Sequence, residues 1–163
     1  MDTLGWEDWP RWLEEIFFTW GKKFLKPRGD VKVTTFCSGT DSPVIALRQL
    51  LRNAGQDVCN HHASVEHDAA AKAFIMANSP PMHFFEKTHS FLVPESFCSM
   101  CNAQCSALHD EVDVLTGGFP CKPFSGLNLH RWTPSHDPFA APDAKPFLEI
   151  SAYLRRARMP PKI

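Results

Sequence analysis

The chain has 163 residues, of which 44% are hydrophobic and 21% charged, a composition that fits one globular domain and excludes a disordered polyelectrolyte. Its formal net charge is −1 with histidine neutral, so no global basic field draws it to nucleic acid, and any such contact needs a local patch. No apolar run reaches the ~18 residues of a membrane span, and Asp2, Glu7 and Asp8 interrupt the N-terminus, which argues against a secretory signal.

The six cysteines are accordingly read as reduced thiols or ligands, in a protein that is nuclear or cytoplasmic and not secreted. Residues 1–29 form a first unit. From Trp6 to Lys26, Trp9, Leu13, Ile16, Phe17, Trp20 and Phe24 recur at three- and four-residue spacing, which predicts an amphipathic helix. It carries four of the five tryptophans and either packs on the domain or docks a protein partner. Lys26 to Asp30 breaks it.

Residues 30–163 form the second unit. Val31 to Cys37 is β-branched and predicts a strand, followed by the turn SGTDSP and a helix over Val44 to Gly55. A second short strand is expected around Ala63 to Val65, with His61 and His62 in the turn before it. The segment AAAKAFIMANSPP predicts a helix stopped by Asn78 and two prolines, and HFFEKTHSFLV is ambiguous. Val112 to Thr116 reads as another buried strand, and Phe147 to Pro160 as a final helix. Arg155, Arg156, Arg158 and Lys162 form its basic end, suited to the helix dipole or to a phosphate.

Strands and helices alternating in this way predict an open α/β fold with a mostly parallel sheet. Ligands in such sheets bind at the carboxyl ends of the strands. Three loops are therefore candidates. Ser38 to Pro43 offers helix-opening N–H groups to a polar or anionic group, or is simply a tight turn. Glu66, directly after a strand, could accept a ribose diol or serve as a negative charge at a helix start. In GGFPCKPFS, Gly117 and Gly118 permit close backbone approach, Pro120 and Pro123 fix the torsions around Cys121, and a positive neighbour such as Lys122 would favour its thiolate. That is the requirement of a covalent nucleophile.

GGFPCKPFS resembles the Pro-Cys catalytic loop of the S-adenosylmethionine-dependent cytosine-5 DNA methyltransferases, usually G-G-F-P-C-Q-P-F-S, with Lys122 where glutamine is usual. TFCSGTDSPVIAL resembles the family's first loop, F-x-G-x-G, with Phe36 or Cys37 at the motif phenylalanine and Asp41 at the second glycine. VEHDAAAKAFIMAN is similar to its second motif, and DAKPFLEISAYLRRARMPPKI to the segment after the cysteine loop, with its F-x-E-I pattern. The family's adenine-contacting aspartate is matched only by Glu86 or Lys87. The matches keep their order over about residues 31 to 163.

The resemblance implies a Rossmann-like sheet that binds S-adenosylmethionine and acts on a cytosine flipped out of duplex DNA. It implies that Cys121 adds to ring carbon 6 of the base. Phe36 or Cys37 would stand at the cofactor pocket, Ser38, Gly39 and Thr40 would cradle the methionine end, Glu66 the ribose and His67 the adenine side. Phe119 and Pro120 would shape the space shared by cofactor and base. The family's next motif, a Glu-Asn-Val whose glutamate holds the cytosine, does not occur before Ile163. Loss of such a group costs about 100-fold or more, so the expectation is the N-terminal part of a catalytic domain, its sheet incomplete at the C-terminal end, with weak or no turnover. The alternatives are a non-catalytic cofactor-binding or regulatory remnant paired with another chain, and a tRNA cytosine-5 methyltransferase. No membrane partner is expected.

CSMCNAQCSALH places Cys98, Cys101, Cys105 and His109 at C-x2-C-x3-C-x3-H, a spacing that could hold zinc. The expectation is scattered free cysteines on a loop-helix, without a metal ion.

Overall fold

The computed structural model describes residues 30–53, 59–106, 112–130, 133 and 137–156. The N-terminal helix expected over Trp6 to Lys26, the tail beyond Arg156 and His109 lie outside these. Six strands occur among the described residues: β1 (Val31–Phe36), β2 (Cys59–Val65), β3 (His83–Phe85), β4 (Ser96–Cys98), β5 (Ala103–Cys105) and β6 (Val114–Gly117). Three α-helices accompany them: α1 (Ser42–Asn53), α2 (Ala69–Asn78) and α3 (Lys145–Arg156). Strands β1, β2, β3 and β6 form one parallel sheet in the order β3-β2-β1-β6, and β4 and β5 pair as a separate antiparallel hairpin. The protein is thus α/β with a parallel central sheet. No helix among the described residues is long and apolar enough to cross a membrane.

The β-branched run of β1 is buried over its last four residues, as expected of a parallel strand covered on both faces. Phe36 ends it fully buried and packs edge-on against Phe91, with ring centroids 4.7 Å apart, and against Tyr153 at 5.8 Å. With Val65, Phe85 and Ile150 these rings join the carboxyl ends of β1, β2 and β3 to α3 and to the 3₁₀ turn Thr88–Leu92. Truncating such a ring to alanine costs about 3–5 kcal/mol, so Phe36 has a packing role sufficient to explain its presence.

Several expectations shift, among them the strand expected over Val112 to Thr116, which runs Val114–Gly117 and is only partly buried. Strand β2 begins at Cys59, so His61 and His62 are strand residues rather than turn residues. The β1–β2 register skips between Val33 and Thr34, leaving His62 as the extra residue of a bulge. That extra residue breaks the alternation by which the strand would be read. The ambiguous segment divides into β3 and the 3₁₀ turn. Helix α3 starts at Lys145 because two 3₁₀ turns, Pro138–Ala140 and Pro142–Ala144, lead directly into it; Pro146 lies in its first turn, where a missing N–H costs nothing.

A buried polar network lies under the first loop. Asp41 is fully buried; its Oδ2 accepts from Ser64 Oγ at 3.0 Å and lies 3.3 Å from His61 Nε2. Nδ1 of His61 is 2.7 Å from the Ser79 carbonyl oxygen. Burial pulls the His61 pKa below its ordinary value, partly offset by the Asp41 charge and the Ser79 hydrogen bond. The unfolded chain therefore takes up a proton here more readily than the folded one. Stability from neutral His61 is present above the ordinary histidine value and is lost as pH falls through it toward the folded value. The urea midpoint is expected to drop between about pH 7.5 and about pH 5.5, and to drop less in His61→Gln; equal slopes in the two proteins would contradict this.

Candidate functional site

The three loops singled out from the sequence leave the carboxyl ends of neighbouring strands. Order reverses between β1 and β6, since β2 and β3 lie to one side of β1 and β6 to the other. Such a switch point opens a crevice in a parallel sheet.

The first loop alternates left-handed residues: Cys37 has φ 50°, Gly39 56° and Asp41 54°. Glycine adopts this region freely, and aspartate tolerates it better than most residues. Asp41 therefore fills a position with glycine-like backbone while its carboxylate turns into the buried network. The loop is closed by the Asp41 N–H on the Ser38 carbonyl at 2.9 Å.

Glu66 joins the first loop to the second. Its carboxylate, in a residue only 6% exposed, accepts the Gly39 N–H on Oε2 at 2.8 Å. On Oε1 it accepts the N–H groups of His67 at 2.8 Å and Asp68 at 2.9 Å. The cap of α2 belongs to Asp68, whose Oδ1 accepts from the Ala71 N–H. His67 Nδ1 also lies 3.2 Å from Oε1, and a carboxylate has about four lone-pair directions, so at most one direction, on Oε2, is left for a ligand rather than the two a ribose diol would use.

The third loop is held against the first. The Gly118 N–H donates to the Phe36 carbonyl at 2.9 Å. A Cβ at Gly118 would lie 3.1 Å from the Cys37 carbonyl oxygen, a tight contact that the carbonyl would have to yield to, whereas one at Gly117 would meet nothing nearer than 3.6 Å. Phe119 packs against Phe147 of α3 at 4.9 Å, and Phe124 and Phe139 complete that aromatic cluster. Cys121 is exposed and starts a turn closed by the Phe124 N–H on its carbonyl at 2.9 Å.

A cleft of about 280 Å³ opens where these loops meet, lined among others by Cys37, Glu66, His67, Glu86, Lys87, Pro120 and Glu149. This is close to the lower end of small-molecule sites, about 300 Å³. Of the candidates, Cys37, Glu66, His67 and Pro120 line it; Cys121, next after Pro120, is exposed and is not among the lining residues. Gly39 contributes through its N–H to Glu66. Ser38 and Thr40 are engaged elsewhere: Ser38 Oγ is 3.0 Å from Ser64 Oγ, and Thr40 Oγ1 is 2.8 Å from Ser42 Oγ. Phe36 and Phe119 do not line the cleft; their rings pack in the core and on α3.

Glu149 was not singled out from the sequence. Its side chain is 11% exposed and lies 3.5 Å from His89 Nδ1 and 3.8 Å from Lys145 Nζ, and it accepts a hydrogen bond from Thr88 Oγ1. The signal was present in F-x-E-I: an acid between Phe147 and Ile150, both of which pack inward. Burial, then the charges of Glu66 and Glu149, push the Cys37 thiol up to about 11. Cys37 is therefore a neutral thiol at physiological pH, with burial as the first cause and the two carboxylates adding to it.

Cys98, Cys101 and Cys105 lie on the β4–β5 hairpin, not on a loop-helix. Their ligand atoms and that of His83 all lie within 4.8 Å of one another. Burial opposes charge on Cys98, but backbone hydrogen bonds from Cys101, Phe84 and Met100, with His83, bring its thiol down to about 7. Hydrogen bonds with Cys105 and Cys98 hold Cys101 up at about 11.

Iodoacetamide labelling of Cys37, followed by peptide mass spectrometry, is expected to show a midpoint at about 11. Glu149→Gln should move it downward by a fraction of a unit; an unmoved midpoint would contradict the charge contribution of Glu149, and an ordinary thiol midpoint in the wild-type chain would contradict the burial of the thiol. No family model matches the chain, and no curated protein matches it at a significant level.

Proposed function

We propose that the chain carries the cofactor-binding and nucleophile-bearing part of a cytosine-5 methyltransferase acting on DNA, with S-adenosylmethionine as methyl donor and Cys121 as nucleophile. The observation that carries this reading is the convergence of three loops on one cleft: Cys37 after β1, Glu66 after β2 and Pro120, next to Cys121, after β6. These residues fit the cofactor. The acid-rich surroundings of Cys37 suit a sulfonium, the free direction on Glu66 can take one ribose hydroxyl, and His67, with a side chain 82% exposed, can cover the adenine side. When bound, S-adenosylmethionine supplies an electrophilic methyl group.

The chemistry asked of this chain falls on Cys121. Its exposed thiol can reach a base only if that base leaves the duplex stack. The thiolate forms a bond to ring carbon 6, and the electron pair of the 5,6 double bond moves to carbon 5, which becomes nucleophilic. Once carbon 5 carries the methyl group, a base takes its proton. The double bond re-forms, and the sulfur–carbon bond breaks to release the thiolate. Gly118 keeps the loop that presents Cys121 tight against the Cys37 carbonyl. A second reading, cofactor binding without methyl transfer, is favoured by one observation: no strand pairs with the outer side of β6 among the described residues.

The full chain incubated with S-adenosylmethionine and a duplex containing 5-fluorocytosine tests the proposal. Fluorine cannot leave as the carbon-5 proton does, so a denaturant-resistant protein–DNA adduct is expected. It should be absent in Cys121→Ser. Adduct formation only with a fluorinated tRNA stem would move the substrate to RNA. No adduct from a folded chain that binds the cofactor would sink methyl transfer and leave the binding reading.

A further inference from the structure

We propose that His83, Cys98, Cys101 and Cys105 form a closed, tetrahedral zinc site that clamps the β4–β5 hairpin onto β3. Three thiols and one imidazole are a ligand set of structural zinc, with no position left open for substrate. Soft sulfur ligands disfavour magnesium and calcium. His83 Nδ1 lies 3.7 Å from Cys98 Sγ and 3.5 Å from Cys101 Sγ. A tetrahedron with Zn–S about 2.3 Å and Zn–N about 2.0–2.1 Å has sulfur–nitrogen edges of about 3.5–3.6 Å, so these two edges are already at coordination length. All four ligand atoms lie within 4.8 Å of one another, and no cysteine is in a disulfide.

The fold supplies the ligands from two elements. Cys98 ends β4, Cys101 sits in the turn of the hairpin, and Cys105 ends β5. Asn102, with φ 51°, reverses the chain so that Cys98 pairs with Ala103. His83 opens β3, the edge strand of the main sheet, and the Ser99 N–H donates to the Phe84 carbonyl at 2.9 Å to bring the hairpin alongside. The hairpin has little core of its own: Cys98 is its one buried strand residue, and Phe97 is 54% exposed. A two-stranded hairpin of this kind is marginal in water. Zinc bound here displaces the thiol protons and supplies the missing cross-link. None of the four residues lines the cleft, so the site stands whatever the cleft does.

The local spacing C-x2-C-x3-C-x3-H points to His109 as fourth ligand; His109 lies outside the described residues, among which His83 is the imidazole beside the three thiols. Purified full-length chain, dialysed against metal-free buffer under reducing conditions, should retain one zinc per chain by elemental analysis. His83→Ala and Cys101→Ser should each weaken zinc binding by more than about 100-fold, while His109→Ala keeps it. Should the first two variants fail to fold, X-ray absorption on the wild-type zinc protein answers without them, with three sulfur ligands and one nitrogen expected. A metal-free folded chain, zinc lost with His109→Ala and retained in His83→Ala, or a coordination shell without three sulfurs would each overturn the proposal.

Discussion

The Glu66 carboxylate, buried after β2 and hydrogen-bonded to three backbone N–H groups from two loops, sets the form of the cleft. Hydrogen bonds to a charged acceptor contribute about 1.5–3 kcal/mol each, and a buried carboxylate with fewer would be costly. The Gly39 amide ties the loop after β1 to the loop after β2, so the two cannot separate without leaving Oε2 short of its backbone partner. The same charge helps keep Cys37 a neutral thiol. One carboxylate therefore holds two loops of the cleft together and adds to the burial that keeps the Cys37 thiol neutral.

Helix α3 supplies the opposite wall. Its F-x-E-I run serves three surroundings at once: Phe147 joins Phe119 in the aromatic cluster, Glu149 enters the cleft, and Ile150 joins the core below Gly117. Consecutive helical residues point about 100° apart, so a short motif can reach a ligand, a loop and a core together. The loop that presents Cys121 is in turn held by Gly118, because any side chain there would press on the Cys37 carbonyl.

The positions of the strand ends were legible in the sequence, because β-branched or apolar runs stop at SGT, EHD and GGF. Glu66, His67 and Pro120 lie in loops that follow from that alone, whereas Cys37, read as the last residue of the strand, came to the pocket only through the family resemblance. Phe36 and Phe119, placed at the pocket by resemblance, lie off the cleft because their rings find apolar neighbours elsewhere, Phe36 in the core and Phe119 against Phe147. Asp41 could be matched to a glycine position by alignment of motifs, but its left-handed backbone and its buried contact with Ser64 become visible only in three dimensions. The bulge at His62 hid the first half of β2. His83 carried no local signal, since its thiol partners are 15 or more residues further along the chain and meet it only through sheet and hairpin packing.

Calorimetric titration of the full chain with S-adenosylmethionine and with its neutral thioether product tests the account of the cleft most directly. Saturable binding is predicted, tighter for the sulfonium than for the thioether, and weakened about tenfold or more, at least 1.4 kcal/mol, in Glu66→Gln. No binding by the folded chain, or equal affinity for the two ligands in wild type and variant alike, would contradict it.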